Sequence, residues 1–104
     1  MEDLDKLIVL RDNIQQIDKQ LVDMLCERVY FAKKIGEIKK KNGKPIYVPE
    51  VEKKKIEELS ALSTYPGLVE AIWPVIMCYT RSVEWVGNNP NSFFFYWFFI
   101  KNMI

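Results

Sequence analysis

Between Asp3 and Lys41, apolar residues recur every three or four positions: Leu7, Leu10, Ile14, Ile17, Leu21, Met24, Leu25, Ala32 and Ile35. That spacing marks one face of a helix. The stretch contains no proline and a single glycine, Gly36. Lys39, Lys40 and Lys41 close it with positive charge that suits the end of a helix, and Asn42-Gly43 supplies a stop. The pattern therefore predicts a very long first helix, about 55–60 Å at roughly 1.5 Å per residue. A compact domain of this size has a radius of gyration of only about 13 Å. The residues that follow are too few to cover so long a stripe, and a second copy of the chain, packed lengthwise, is expected to do so.

Lys44 to Val48 reads as an extended loop. Pro49 fits the first position of a second helix, with Glu50 and Glu52 at its positive end and Ile56 and Leu59 carrying it to about Leu62. Ser63-Thr64-Tyr65-Pro66-Gly67 is a break. A third helix follows from about Leu68 to Trp85, with Leu68, Ile72, Val75, Ile76, Tyr79 and Val83 on one side and Pro74 placed to kink it or shift its start. No segment alternates as a core strand would. The expected fold is all-α, three helices per chain. Residues 1–87 form the helical domain, and residues 88–104 an Asn/Pro linker and aromatic tail.

Composition narrows the function. The 104 residues carry fifteen Lys plus Arg against fourteen Asp plus Glu, a net charge of +1. Proteins that track phosphates need a clear basic excess, so no nucleic-acid partner is expected. Two cysteines, Cys26 and Cys78, and the absence of histidine exclude a Cys/His zinc site, a His-based triad and a disulfide-dense scaffold. Both cysteines lie in apolar helical patterns, where free, buried thiols are common. The opening MEDLDKLIVL lacks the basic region of a signal peptide, so a cytoplasmic protein is expected. Seven aromatics crowd residues 93–99. That run is too short for a span of about twenty residues. It is expected to pack on the domain surface or trail as a loose extension. Contact with a membrane interface is the alternative, without support from any basic amphipathic pattern.

The informative feature is charge inside the first helix's apolar stripe. At about 100° per residue, with Ile14 at zero, the stripe centres near about 320°, Arg28 falls at about 320° and Lys39 at about 340°. A cation on a buried face is costly unless an anion meets it. Two readings stay open. The cations, about 16 Å apart along the axis, close on a small dianion, or they pair internally with Glu84, Glu52 or Glu70 and fix helix register. Lys39 is also one of three successive lysines at a solvated helix end. Arg11 lies about 100° round from Arg28, placed for the matching site of a neighbouring chain. On the third helix, Thr80 and Glu84 are one turn apart on one face.

These positions carry a family resemblance. Leu10-Arg11-Asp12, Ile14, Ile17-Asp18 and Leu21, then Leu25, Glu27-Arg28 and Ala32, then Ile35-Gly36 and Ile38-Lys39, resemble the long first helix of the all-helical chorismate mutases. Ile76, Thr80-Arg81 and Glu84 resemble the family's third-helix segment, and the likeness covers about residues 4 to 86. It implies an intertwined homodimer with two sites lined by both chains, and rearrangement of chorismate to prephenate without metal or cofactor. It also implies roles. Arg28 and the other chain's Arg11 would bind the substrate carboxylates, and Thr80 would support one of them. Lys39 and Glu84 would reach the ether oxygen from opposite sides, and Glu52 would hold the ring hydroxyl. Glu84 would act there as a protonated donor, so activity is expected to fall as pH rises.

Two positions depart from the family pattern. Where the family commonly has Asp, and Arg three residues later, this chain has Val48 and Val51. The change removes a helix cap and a usual neighbour of the ring hydroxyl. The related isochorismate pyruvate lyases share the fold and a Pro-Glu pair like Pro49-Glu50, and a non-catalytic helical dimer or regulatory module is the further alternative. Glu52 and Glu84 favour the mutase.

Overall fold

The computed structural model describes residues 2–86 together with residues 97 and 101. Three helices account for the described elements: α1 (Glu2–Lys41), α2 (Pro49–Ser60) and α3 (Leu68–Val86). No strand occurs among the described residues. The aromatic run lies outside them except for Trp97, over whose ring the Lys101 ammonium sits at 4.7 Å. The chain divides into two compact units, Met1–Phe31 and Ala32–Ile104.

In the first unit, α1 opens with Glu2, Asp3 and Asp5 in its first turn, where carboxylates offset the positive helix end. The predicted stripe forms, and it is bare: Leu10 and Ile14 are 59% and 58% exposed, and Ile17, Leu21 and Val22 are likewise more than half exposed. Cys26, expected to be buried, is exposed, while Cys78 on α3 is buried; both are free thiols.

The second unit holds a small core of Ala32, Ile46, Val69, Met77, Cys78 and Val83. Here α1 ends in a glycine-dependent cap. Gly43 adopts φ 64°. The Lys44 N–H donates to the Lys39 carbonyl at 2.8 Å, and the Gly43 N–H to the Lys40 carbonyl at 3.4 Å. This pairing satisfies carbonyls that the helix end would leave open. The Asn42 side chain adds a bond to the Ile38 carbonyl at 2.8 Å.

Pro49 starts α2 as predicted, and Val48 before it makes no side-chain cap. The Val48 carbonyl accepts from the Val51 and Glu52 N–H groups at 3.1 and 3.2 Å. The helix ends at Ser60 rather than Leu62, because Leu62 and Ser63 bond to carbonyls three residues back and tighten the turn. Ser63 and Tyr65 exchange short-range bonds in the loop, and Gly67 at φ 79° leads into α3.

α2 packs against α3. Pro74 lies within α3, which keeps its start at Leu68. Val83 is buried as predicted, but the rest of the buried face departs from the predicted stripe: Val69 and Met77 are buried, whereas Leu68, Ile72 and Val75 remain exposed. The helix is apolar on more than one side, so periodicity alone could not say which side its own chain would cover.

Candidate active site

Polar chemistry in the second unit gathers where the end of α1, the loop after it, the start of α2 and the second half of α3 meet. The close approach begins at Gly36, which is buried. A β-carbon there would stand 2.9 Å from both the α- and β-carbons of Glu84. Only a residue without a side chain lets α1 come this near to α3. One turn further along α1, the Lys39 ammonium lies 3.7 Å from Oε2 of Glu84. That is an ion-pair separation, longer than a hydrogen bond. The Glu84 side chain is 7% exposed and that of Lys39 28%. Lys39 also donates to the Ile46 carbonyl at 3.2 Å, which ties the loop to α1. Lys40 donates to the Trp85 carbonyl at 2.7 Å and fastens the two helix ends together.

A second polar group forms beside the loop. Nη1 of Arg81 donates to Oε1 of Glu52 at 2.5 Å, a charge-assisted bond between α3 and α2. The same guanidinium lies over the Tyr47 ring, 4.6 Å from its centroid. Both partners of the ion pair are part-buried. Thr80 is half-buried and its hydroxyl donates to the Ile76 carbonyl one turn back, at 2.9 Å.

Of the six residues expected from the sequence, Lys39, Glu52, Thr80 and Glu84 belong to this unit. Lys39 and Glu84 face each other directly, and Glu52 faces Arg81. Arg11 and Arg28 belong to the first unit, the former exposed and the latter half-buried. Reasoning from periodicity missed Gly36, Tyr47 and the role of Arg81. Arg81 stood within the recognised segment, but nothing local links it to an acid 29 residues away. Among the described residues no three His, Cys, Asp or Glu side chains gather to hold a metal, and no described helix is long and apolar enough to cross a membrane.

The match to known families falls across this same region. Residues 10–85 match the family described as chorismate mutase type II. The chain belongs to that family. All six expected site residues lie inside the matched span. Among curated relatives, the chain is 38% identical over 76 residues to the T-protein of Enterobacter agglomerans, covering 69% of this chain and 20% of that protein. It is 42% identical over 60 residues to the bifunctional chorismate mutase/prephenate dehydratase of Aquifex aeolicus, covering 58% and 17% respectively. It is 40% identical over 50 residues to the chorismate mutase of Methanocaldococcus jannaschii, covering 48% of this chain and 50% of the other. The matched segment is thus half or less of each relative's own length. No solved structure matches the chain significantly. The matched span takes in the Gly36 contact and the Lys39–Glu84 ion pair.

Proposed function

We propose that this chain rearranges chorismate to prephenate, a step of aromatic amino-acid biosynthesis. One observation carries the reading within the family: a buried carboxyl, Glu84, held 3.7 Å from the Lys39 ammonium by the Gly36 contact. In the rearrangement the ether C–O bond breaks as a C–C bond forms, within one molecule, and no nucleophile or transferred proton is required. Two things then help. Clamping a flexible dianion in its reactive conformer contributes about 7–11 kcal/mol in favourable cases. Each fixed donor aimed at the departing oxygen contributes about 2.7–4 kcal/mol. Lys39 is one of those donors, and Glu84 is the other when it carries a proton in the substrate complex. Arg28 binds one carboxylate and Arg11 of the partner subunit the other, Thr80 supports a carboxylate, and Glu52 holds the ring hydroxyl.

The dimer belongs to the same proposal. Its support is the bare apolar stripe of α1, from Leu7 through Leu25, which a second copy would cover. Residues 1–87 form the catalytic domain, residues 88–104 a tail, and the enzyme works in the cytoplasm. The test follows chorismate absorbance in wild type and Arg28→Ala. Wild type is expected to form prephenate, with kcat/KM falling about 10²–10³-fold in the variant. Equal inactivity of the two would overturn the catalytic reading. Release of pyruvate and salicylate from isochorismate, in place of prephenate, would assign the chain to the lyases.

A further inference from the structure

Where the family pattern has an arginine next to the helix-two glutamate, this chain has Val51, which is 60% exposed. The cation beside Glu52 comes instead from α3, as Arg81. We propose that Arg81 is a positioning residue for substrate binding: it fixes Glu52 so that one carboxylate oxygen faces the ring hydroxyl of the bound dianion. This rests on the mutase reading above.

Three observations converge on it. First, the guanidinium engages Oε1 of Glu52. The other oxygen, Oε2, is thereby oriented as an acceptor, since a carboxylate gripped at one oxygen by a planar cation loses the freedom to rotate. Second, the guanidinium is itself held over the Tyr47 ring, its Cζ 4.6 Å from the ring centroid. Tyr47 in turn follows Ile46, whose carbonyl Lys39 holds. Glu52 is therefore connected, through Arg81 and the loop, to the lysine at the proposed ether-oxygen site. Third, Arg81 lies three residues before Glu84 on α3, about 4.5 Å along the axis. The Arg81 and Glu52 side chains keep 22% and 24% of their surface, so a ligand can reach the pair.

The test is a cycle of steady-state measurements on Arg81→Ala, Glu52→Ala and the double variant, with Arg81→Lys beside them. Arg81→Ala is expected to raise KM about tenfold with kcat within about twofold, the pattern of lost substrate binding. The double variant should be no worse than Glu52→Ala alone, because Arg81 acts through that carboxylate. Arg81→Lys keeps the charge without the planar fork and should fall between wild type and Arg81→Ala. Thermal melts accompany each variant. If Arg81→Ala is unfolded at the assay temperature, Arg81→Lys and Glu52→Ala still carry the comparison. An unchanged KM in folded Arg81→Ala, or penalties that simply add in the double variant, would overturn the proposal while leaving the mutase reading intact. A wild type without turnover would overturn both.

Discussion

At Gly36 the absence of a side chain decides how near two helices come. An alanine there gains helix propensity worth about 1 kcal/mol. Its methyl, however, meets the Glu84 α-carbon, which is backbone and cannot swing aside. Overpacking of that kind costs about 1–3 kcal/mol. The cost wins, and it falls on the contact that aligns Lys39 with Glu84. Gly36→Ala is expected to lower the melting temperature by roughly 4–8 °C per kcal/mol lost and to depress kcat. A variant melting at or above wild type would show that α3 has slack at this point. Lys39 and Glu84 were legible in the sequence because a cation on an apolar stripe and an acid on an apolar helix each demand a partner. The Arg81–Glu52 pair was not, since two part-buried ions joined across 29 residues leave no periodic trace.

The element most weakly specified is α2. Its proline start and acidic first turn agree with helix chemistry, but Val48 at φ −127° and ψ 94° has a cap residue's backbone without a capping side chain. Val48→Asp would give the Glu50 N–H an acceptor and add a charge that the helix dipole favours. A gain of about 1 kcal/mol is expected, visible as a higher melting temperature. No gain would mean that apolar contacts of the half-buried valine outweigh the cap. The other helices show what element patterns leave undecided. The stop of α1 was readable because Asn42-Gly43 encodes a left-handed cap, and it formed there. The buried side of α3 was not readable, because apolar residues on neighbouring faces compete and only packing on α2 and on the end of α1 selects among them.

For the whole molecule, the exposed stripe of α1 poses the largest energetic question. Burying one Leu or Ile side chain fully contributes about 1.5–3 kcal/mol, and Leu10, Ile14, Ile17 and Leu21 are all more than half exposed in the single chain. The proposed dimer removes that surface from water and brings Arg11 to the other chain's site. Mixing inactive Arg11→Ala with inactive Arg28→Ala tests both points at once. Hybrid dimers would own one site with both arginines intact. Random pairing of a two-fold dimer then restores about a quarter of wild-type activity. A mixture no more active than its parts would show that Arg11 serves its own chain.

Periodicity and end signals alone determined that this chain is helical, where its three helices start and where the first one stops, because those are local properties of backbone hydrogen bonding and side-chain spacing. They also singled out the cations and acids that have no business on an apolar face. Tertiary structure decided the rest: which side of α3 is buried, that Gly36 brings Glu84 within ion-pair reach of Lys39, and that Arg81 supplies the charge beside Glu52. Those outcomes depend on distances between segments far apart in the chain, and such distances are set by packing, on which local pattern is silent.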